Sequence, residues 1–190
     1  MSADGESKWI SRGNRRELCR TKVMTMLSET FECVRTGALH DFITMDLIDW
    51  VVVIAETAAK ELVMIRQFRH GTRRIELEVP GGCIDSKDRS PLAAAERELL
   101  EETGFAGENP HIIGKVCPNP AIQHNTCYVV KIDNVRQVSE PHLEDTEDIE
   151  HRLVSRERLM ELLHEGKISH GIVLNALFFY LMEPQQGQQK

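Results

Sequence analysis

Arg97-Glu98-Leu99-Leu100-Glu101-Glu102-Thr103-Gly104-Phe105 is a helical segment that carries its acids in an awkward place. Ser90 can cap a helix, and Pro91 falls in the first turn, where its missing N–H costs nothing. Leu92 to Thr103 is rich in Ala, Leu and Glu, all good helix formers, and Gly104 stands where a left-handed cap ends such a segment. A helical wheel puts Glu98, Glu101 and Glu102 on one side, with Leu92, Leu99 and Leu100 largely opposite. The ordinary explanation of such a side is a solvated acidic face. Glu101 and Glu102, however, lie in the last turn, where the helix dipole is negative and anions are unfavourable, so something positive should offset them.

Immediately upstream, Pro80-Gly81-Gly82 should break a strand and bring backbone carbonyls close to the start of this helix. Carboxylates and carbonyls, with no thiolate or paired histidine among them, suit Mg2+ or Mn2+ rather than zinc. Mg2+ keeps several waters and is held by one or two carboxylates together with substrate phosphates. A glutamate cluster beside an anion-binding surface therefore fits diphosphate chemistry.

The segment Arg97 to Phe105 resembles the second half of the Nudix box, REUxEExGU with U aliphatic or aromatic, and every fixed position is filled. A chance match in a chain of this size is on the order of one in several thousand, so coincidence does not explain it. The first half is less regular. Counting back from Arg97 puts Cys83 at the expected glycine and Arg89 at the first glutamate, whereas a one-residue insertion restores Gly82 and offers Asp88 as the acid. The resemblance implies that Arg97 orients the glutamates, that Glu98 and Glu102 ligate metal, and that Glu101 is a further ligand or the base. It also implies that a carbonyl at Gly81 completes the metal shell.

Working outward toward the N-terminus, Ile75 to Val79 alternates apolar residues with Glu76 and Glu78, while Leu62 to Phe68 and Val51 to Ala55 read as strands. Arg66-Gln67-Phe68-Arg69-His70-Gly71-Thr72-Arg73-Arg74 concentrates basic side chains in an otherwise acidic protein and would attract phosphates. Its start resembles the RQYR-type segment of ADP-ribose pyrophosphatases, which makes Arg66 and Arg69 the phosphate candidates. Trp50 offers a flat apolar ring for a base, although core packing is the more ordinary task for it.

Beyond the helix, Ile112 to Val116, Cys127 to Ile132 and Ile149 to Val154 read as strands, and Arg156 to His164 and Gly171 to Met182 as closing helices. Pro118 to Asn125 resembles the substrate loop of ADP-ribose-type relatives, with Asn119 a substrate-binding candidate. The catalytic glutamate some relatives place in that loop is missing. His124 is a weak substitute, and Glu147, in the acidic run Glu144 to Asp148, is the better late carboxylate.

A chain of 190 residues with 41% hydrophobic and 28% charged residues is ordinary for a globular protein. Its net charge of -7 argues against nucleic acid or anionic membranes as partners. No apolar run approaches the length of a membrane span, and a cytoplasmic location is expected. The five scattered cysteines contain no CxxC pair and are expected to be reduced.

The resemblance spans roughly Trp50 to Met182 and implies an α/β (α+β) fold, the Nudix α/β/α sandwich with a mixed β-sheet. Residues 1–48 are expected to form an extension, irregular to Arg20, then a β-hairpin about Thr36-Gly37 over Thr21 to Leu47. This hairpin resembles the element through which ADP-ribose-type members dimerise, which implies a homodimer. Residues 49–183 form the hydrolase domain in this reading, and 184–190 a disordered tail. The implied reaction is Mg2+-dependent hydrolysis of a nucleoside diphosphate derivative, ADP-ribose foremost, to AMP and ribose 5-phosphate. A nucleotide sugar, NADH or a dinucleoside polyphosphate remains an alternative substrate, as does a non-catalytic module that senses nucleotide.

Overall fold

A computed structural model describes residues 8–183, so the expected tail lies outside the described residues. The chain divides into two compact units. One comprises the chain up to Ile48 with Cys117–Asn125, the other Asp49–Val116 with the chain from Thr126 onward.

In the first unit, β1 (Trp9–Ser11), β2 (Arg16–Arg20), β3 (Met24–Cys33) and β4 (Leu39–Leu47) form an antiparallel sheet. β3 is its spine: β4 runs along one edge from Met24↔Leu47 to Glu32↔Leu39, while β1 and β2 share the other. Gly37, at a positive φ of 69°, turns the β3–β4 hairpin. The expected hairpin is therefore half of a larger sheet, and the described part of the stretch to Arg20 is not irregular throughout. β1 and β2 are exposed along their whole length. With no buried side they show no two-residue alternation, and their pairing depends on β3.

The second unit stacks two sheets between helices. One has the order β8 (Gly81–Cys83), β5 (Trp50–Ala55), β10 (Cys127–Gln137), β9 (Phe105–Val116), and the other β11 (Ile149–Val154), β6 (Leu62–Arg69), β7 (Arg74–Glu78). β5 and β10 pair in parallel and their other neighbours antiparallel, so the sheet is mixed. Alternate residues of β5 serve different layers, as the two-residue period of a strand requires. Val51, Val53 and Ala55 pack with Ala94, Ala95 and Leu99 of α1 (Pro91–Thr103). Ile54 packs with Leu159 of α2 (Arg156–His164) and with Val173, Ala176 and Leu177 of α3 (Gly171–Met182). The result is the α/β/α arrangement anticipated above.

Helix α1 begins and ends as its sequence dictates. The Ser90 hydroxyl accepts from Ala93 N–H, Pro91 opens the first turn, and Gly104 closes the last at φ 74° with its N–H on the Leu100 carbonyl. Two other expectations need amending. The strand does break as expected, β7 ending at Glu78 with Pro80 in a bend, but Gly81 and Gly82 then begin β8 in the other sheet, where they pair with Val52 and Val51. A methyl group on Gly81 would lie 2.3 Å from the Val51 carbonyl oxygen, so glycine is what lets this edge close on β5. β9 also starts at Phe105, well before Ile112, because bulges in its ladder with β10 let a polar stretch without alternation join the sheet.

Candidate active site

The carboxylate-bearing side of α1 faces inward. Glu98 and Glu102 are 9% and 3% exposed, while Leu100, expected on the buried side, is 39% exposed. The simple wheel failed because α1 also packs its acidic side on β8. Glu102 Oε2 accepts from the Gly81 N–H at 2.9 Å. The Glu98 carboxylate rests on Gly82, where a methyl group would stand 2.4 Å from Oε1. Burial, opposed by Arg97, pushes Glu98 up to about 7. Burial pushes Glu102 up to about 8 against the pull of the Gly81 amide, with Glu98 and Glu147 adding repulsion. Two carboxylates thus share a dry place that is short of positive charge.

Arg97 organises the near side. Its guanidinium donates to both Asp88 oxygens at 3.1 and 2.9 Å, to the Cys83 carbonyl at 3.1 Å and to Glu101 at 2.9 Å, and lies 3.0 Å from Glu98. Asp88 is held well below the ordinary carboxylate range, chiefly by that Arg97 hydrogen bond. Gly82 under Glu98 and Asp88 on Arg97 match the one-residue-insertion alignment of the box. Glu101 is turned to Arg97 and its side chain is 45% exposed, so it does not join the buried pair. Gly81 contributes its amide hydrogen to the site.

A cavity of about 790 Å3 reaches Gly81, Gly82 and Cys83. One part of its lining is apolar and aromatic, with Trp50, Val52, Val79 and Ile172, and another is polar, with Arg69, Glu76, Glu78 and His170. Trp50 stands between Cys83 of β8 and Cys127 of β10, half-buried at the cavity wall. Arg69 also lines it, whereas Arg66, three residues away on a strand of period two, faces the other way and pairs with Glu150 of β11 at 3.1 Å. Glu147 is half-buried, and its charge is felt by Glu98, Glu102 and Arg69. Asn119 and His124 belong to the first unit and are exposed. The Asn119 carbonyl accepts from Ile122 and Gln123, and His124 sits 3.4 Å from Asp46.

Sequence reasoning missed a second buried carboxylate group. Glu78 is 2% exposed and accepts a fork from Arg69 at 2.7 and 2.8 Å. Its second oxygen also faces His170 Nδ1 at 3.0 Å. Burial would raise this carboxyl, but Arg69 and His170 together outweigh it and hold it at about 2. Glu76 is buried beside it, accepting from Ser169 and Arg74. The alternation in Ile75 to Val79 was visible, but its polarity is inverted, since Ile75 is 58% exposed and the two glutamates point inward.

The donor set fits a divalent cation of the Mg2+ kind. Among the described residues no three His, Cys, Asp or Glu side chains are grouped to enclose an ion. Carboxylate oxygens such as those of Glu98 and Glu102 suit Mg2+, which binds few carboxylates and completes its shell with water and phosphate. An ion there would stabilise the ionised forms of Glu98 and Glu102, which burial otherwise disfavours.

Residues 47–177 match the NUDIX domain, and the chain belongs to the Nudix hydrolase family. An ADP-sugar pyrophosphatase of Mus musculus is 36% identical over 88 residues, 46% of this chain and 40% of that protein. An ADP-ribose pyrophosphatase of Bacillus subtilis is 26% identical over 73% of this chain and 76% of its own length. A solved ADP compounds hydrolase superposes with a TM-score of 0.80 at 22% identity, covering 92% of this chain and 93% of that one, which supports the fold. Nudix enzymes typically use a divalent metal, in keeping with the carboxylate pair.

Proposed function

We propose that this chain hydrolyses the diphosphate link of a nucleoside diphosphate sugar in the presence of Mg2+, and that ADP-ribose is its principal substrate, giving AMP and ribose 5-phosphate. The observation that carries this reading is the buried Glu98–Glu102 pair held against Gly81 and Gly82, two glycines that line a cavity together with Trp50 and Arg69. The mouse and Bacillus relatives, named for ADP-sugar and ADP-ribose, support the choice of substrate.

Glu98 and Glu102, with the Gly81 carbonyl, would hold the cation, and Mn2+ would serve in place of Mg2+. Once bound, the ion supplies charge neutralisation for the phosphates and lowers the pKa of a water. Arg97 keeps Glu98 and Glu101 in place through its ion pairs. Glu147, or Glu101, accepts the proton from the attacking water. That water's oxygen forms a bond to one phosphorus while the bridging P–O bond breaks and the other phosphate departs. Arg69, clamped by Glu78, presents the unbonded part of its guanidinium to phosphate.

The test is a panel of ADP-ribose, other nucleotide sugars, NADH and dinucleoside polyphosphates with Mg2+, scored by mononucleotide release. ADP-ribose turned over with the highest kcat/KM is expected. Binding without turnover on the whole panel would favour a sensing module. Residues 1–48 are proposed as the dimer element, Asn119 as a substrate contact and the cytoplasm as the compartment. A monomeric mass in light scattering would remove the first.

A further inference from the structure

The Glu78 cluster lies at the cavity but outside the metal-side machinery, and its geometry is unusually determined. Glu78 comes from β7, Arg69 from the end of β6 and His170 from the N-cap of α3, 92 residues downstream of Glu78. A buried, ionised carboxylate accepts only, so His170 Nδ1 carries the hydrogen in this contact. The ring is thereby oriented, with Nε2 on its far side, and the side chain, 34% exposed, lines the cavity. His170 makes no side-chain cap to its own helix, being committed to Glu78 instead.

The surroundings select the ligand chemistry. Near His170 the cavity is lined by Glu76, Glu78, Thr72 and Ser169, with Arg69 and Arg74 as the cations. The Arg69 charge is matched by Glu78 and that of Arg74 by Glu76. Carboxylates and hydroxyls in such density repel a second phosphate but suit a polyhydroxylated group, whose O–H groups donate and accept in turn. The apolar lining of Trp50, Val52 and Ile172 suits a base instead.

We infer that His170 is a specificity-determining residue whose Nε2 hydrogen-bonds a hydroxyl of the substrate's non-nucleotide sugar, with Glu78 as the positioning residue that fixes the ring. This inference rests on the diphosphate-sugar reading above and deepens it by assigning the sugar end of the cavity. His170→Asn retains a donor for Glu78 and removes Nε2. With ADP-ribose, KM should rise about 10-fold, the loss of one buried hydrogen bond of ~1.4 kcal/mol, while kcat changes less than about twofold. With the methyl ester of ADP, which carries no second sugar, His170→Asn and wild type should have the same KM. Tm should be unchanged, and His170→Ala, which abandons Glu78, should lower Tm as well as affinity.

An equal KM for ADP-ribose in wild type and His170→Asn overturns the inference, as does an equal rise for both substrates, while leaving the hydrolase reading intact. If wild type turns over neither substrate, the hydrolase reading fails on its own, and the sugar contact is still decided by calorimetric titration of ADP-ribose against ADP. A preference for ADP-ribose that His170→Asn abolishes supports the contact, and one that His170→Asn leaves unchanged overturns it.

Discussion

Replacing Gly82 with alanine should separate catalysis from folding at this site. The new methyl carbon would stand 2.4 Å from Glu98 Oε1, 2.6 Å from Cδ and 2.9 Å from Oε2. Ordinary contact begins near 3.4 Å, so the carboxylate must retreat by about 1 Å. Its neighbour Arg97, 3.0 Å away, moves with it or loses the ion pair. A displacement of about 1 Å at a group that positions reacting atoms costs roughly 100-fold in rate, ~2.7 kcal/mol in barrier. Only the end of a side chain is struck, so Tm measured by calorimetry should stay within about 3 °C of wild type. Gly81→Ala is the contrasting variant, because its methyl group would meet the Val51 carbonyl oxygen at 2.3 Å, which is backbone, and should prevent β8 from closing. The assay is mononucleotide release at saturating ADP-ribose and Mg2+. A folded Gly82→Ala protein with wild-type kcat would refute the claim that Glu98 must lie against that glycine.

Glu102→Gln should fold and lose most turnover. Its pH behaviour is more diagnostic. Glu102 keeps its proton to about 8 in the fold, above the ordinary 4.5, so its contribution to stability is complete below 4.5 and is lost as pH rises through 8. Without metal, wild-type Tm should therefore fall across that window and Glu102→Gln should flatten the fall, while Mg2+ should raise wild-type Tm more than that of the variant. Parallel metal-free profiles would show that Glu102 does not hold its proton in the fold, and an equal rise in Tm with Mg2+ in both proteins would remove Glu102 from the ion site. Arg69→Ala leaves Glu78 buried without its fork. Since the arginine side chain is 42% exposed, we expect about 2 kcal/mol of destabilisation by urea titration rather than the larger cost of a fully buried pair, with recovery in Arg69→Ala/Glu78→Gln. No difference between the single and double variants would show that the pair is not coupled. Gly104→Ala combines a φ of 74° with a methyl group 2.1 Å from the Ser139 carbonyl oxygen, and should cost well over ~2 kcal/mol, read as a loss of soluble, cooperatively melting protein. A normal melt would mean that the cap is free to move.

Short stretches of residues already carried a good deal of this protein. The bounds of α1, its Ser90 and Gly104 caps and the spans of β11, α2 and α3 follow from propensity and spacing within a dozen residues, and the family membership from the resemblance carried by Arg97 to Phe105. Local rules suffice there because a cap or a helical period is satisfied by near neighbours. Strands β1 and β2 escaped notice because exposed edges leave no apolar alternation to read.

Burial, by contrast, is a property of partners far along the chain. Nothing within α1 says that β8 will cover Glu98 and Glu102 and leave Leu100 in solvent, and nothing in Ile75 to Val79 says that its glutamates face inward. Arg66 and Arg69 look equivalent in a basic run, yet the two-residue period of β6 sends one to Glu150 and the other to Glu78 and the cavity. His170 gave no local signal at all, since its role arises from a carboxylate 92 residues away. Charge and spacing can name the chemistry; the dielectric around each carboxylate, and hence its affinity for proton or metal, is set when the packed elements exclude water.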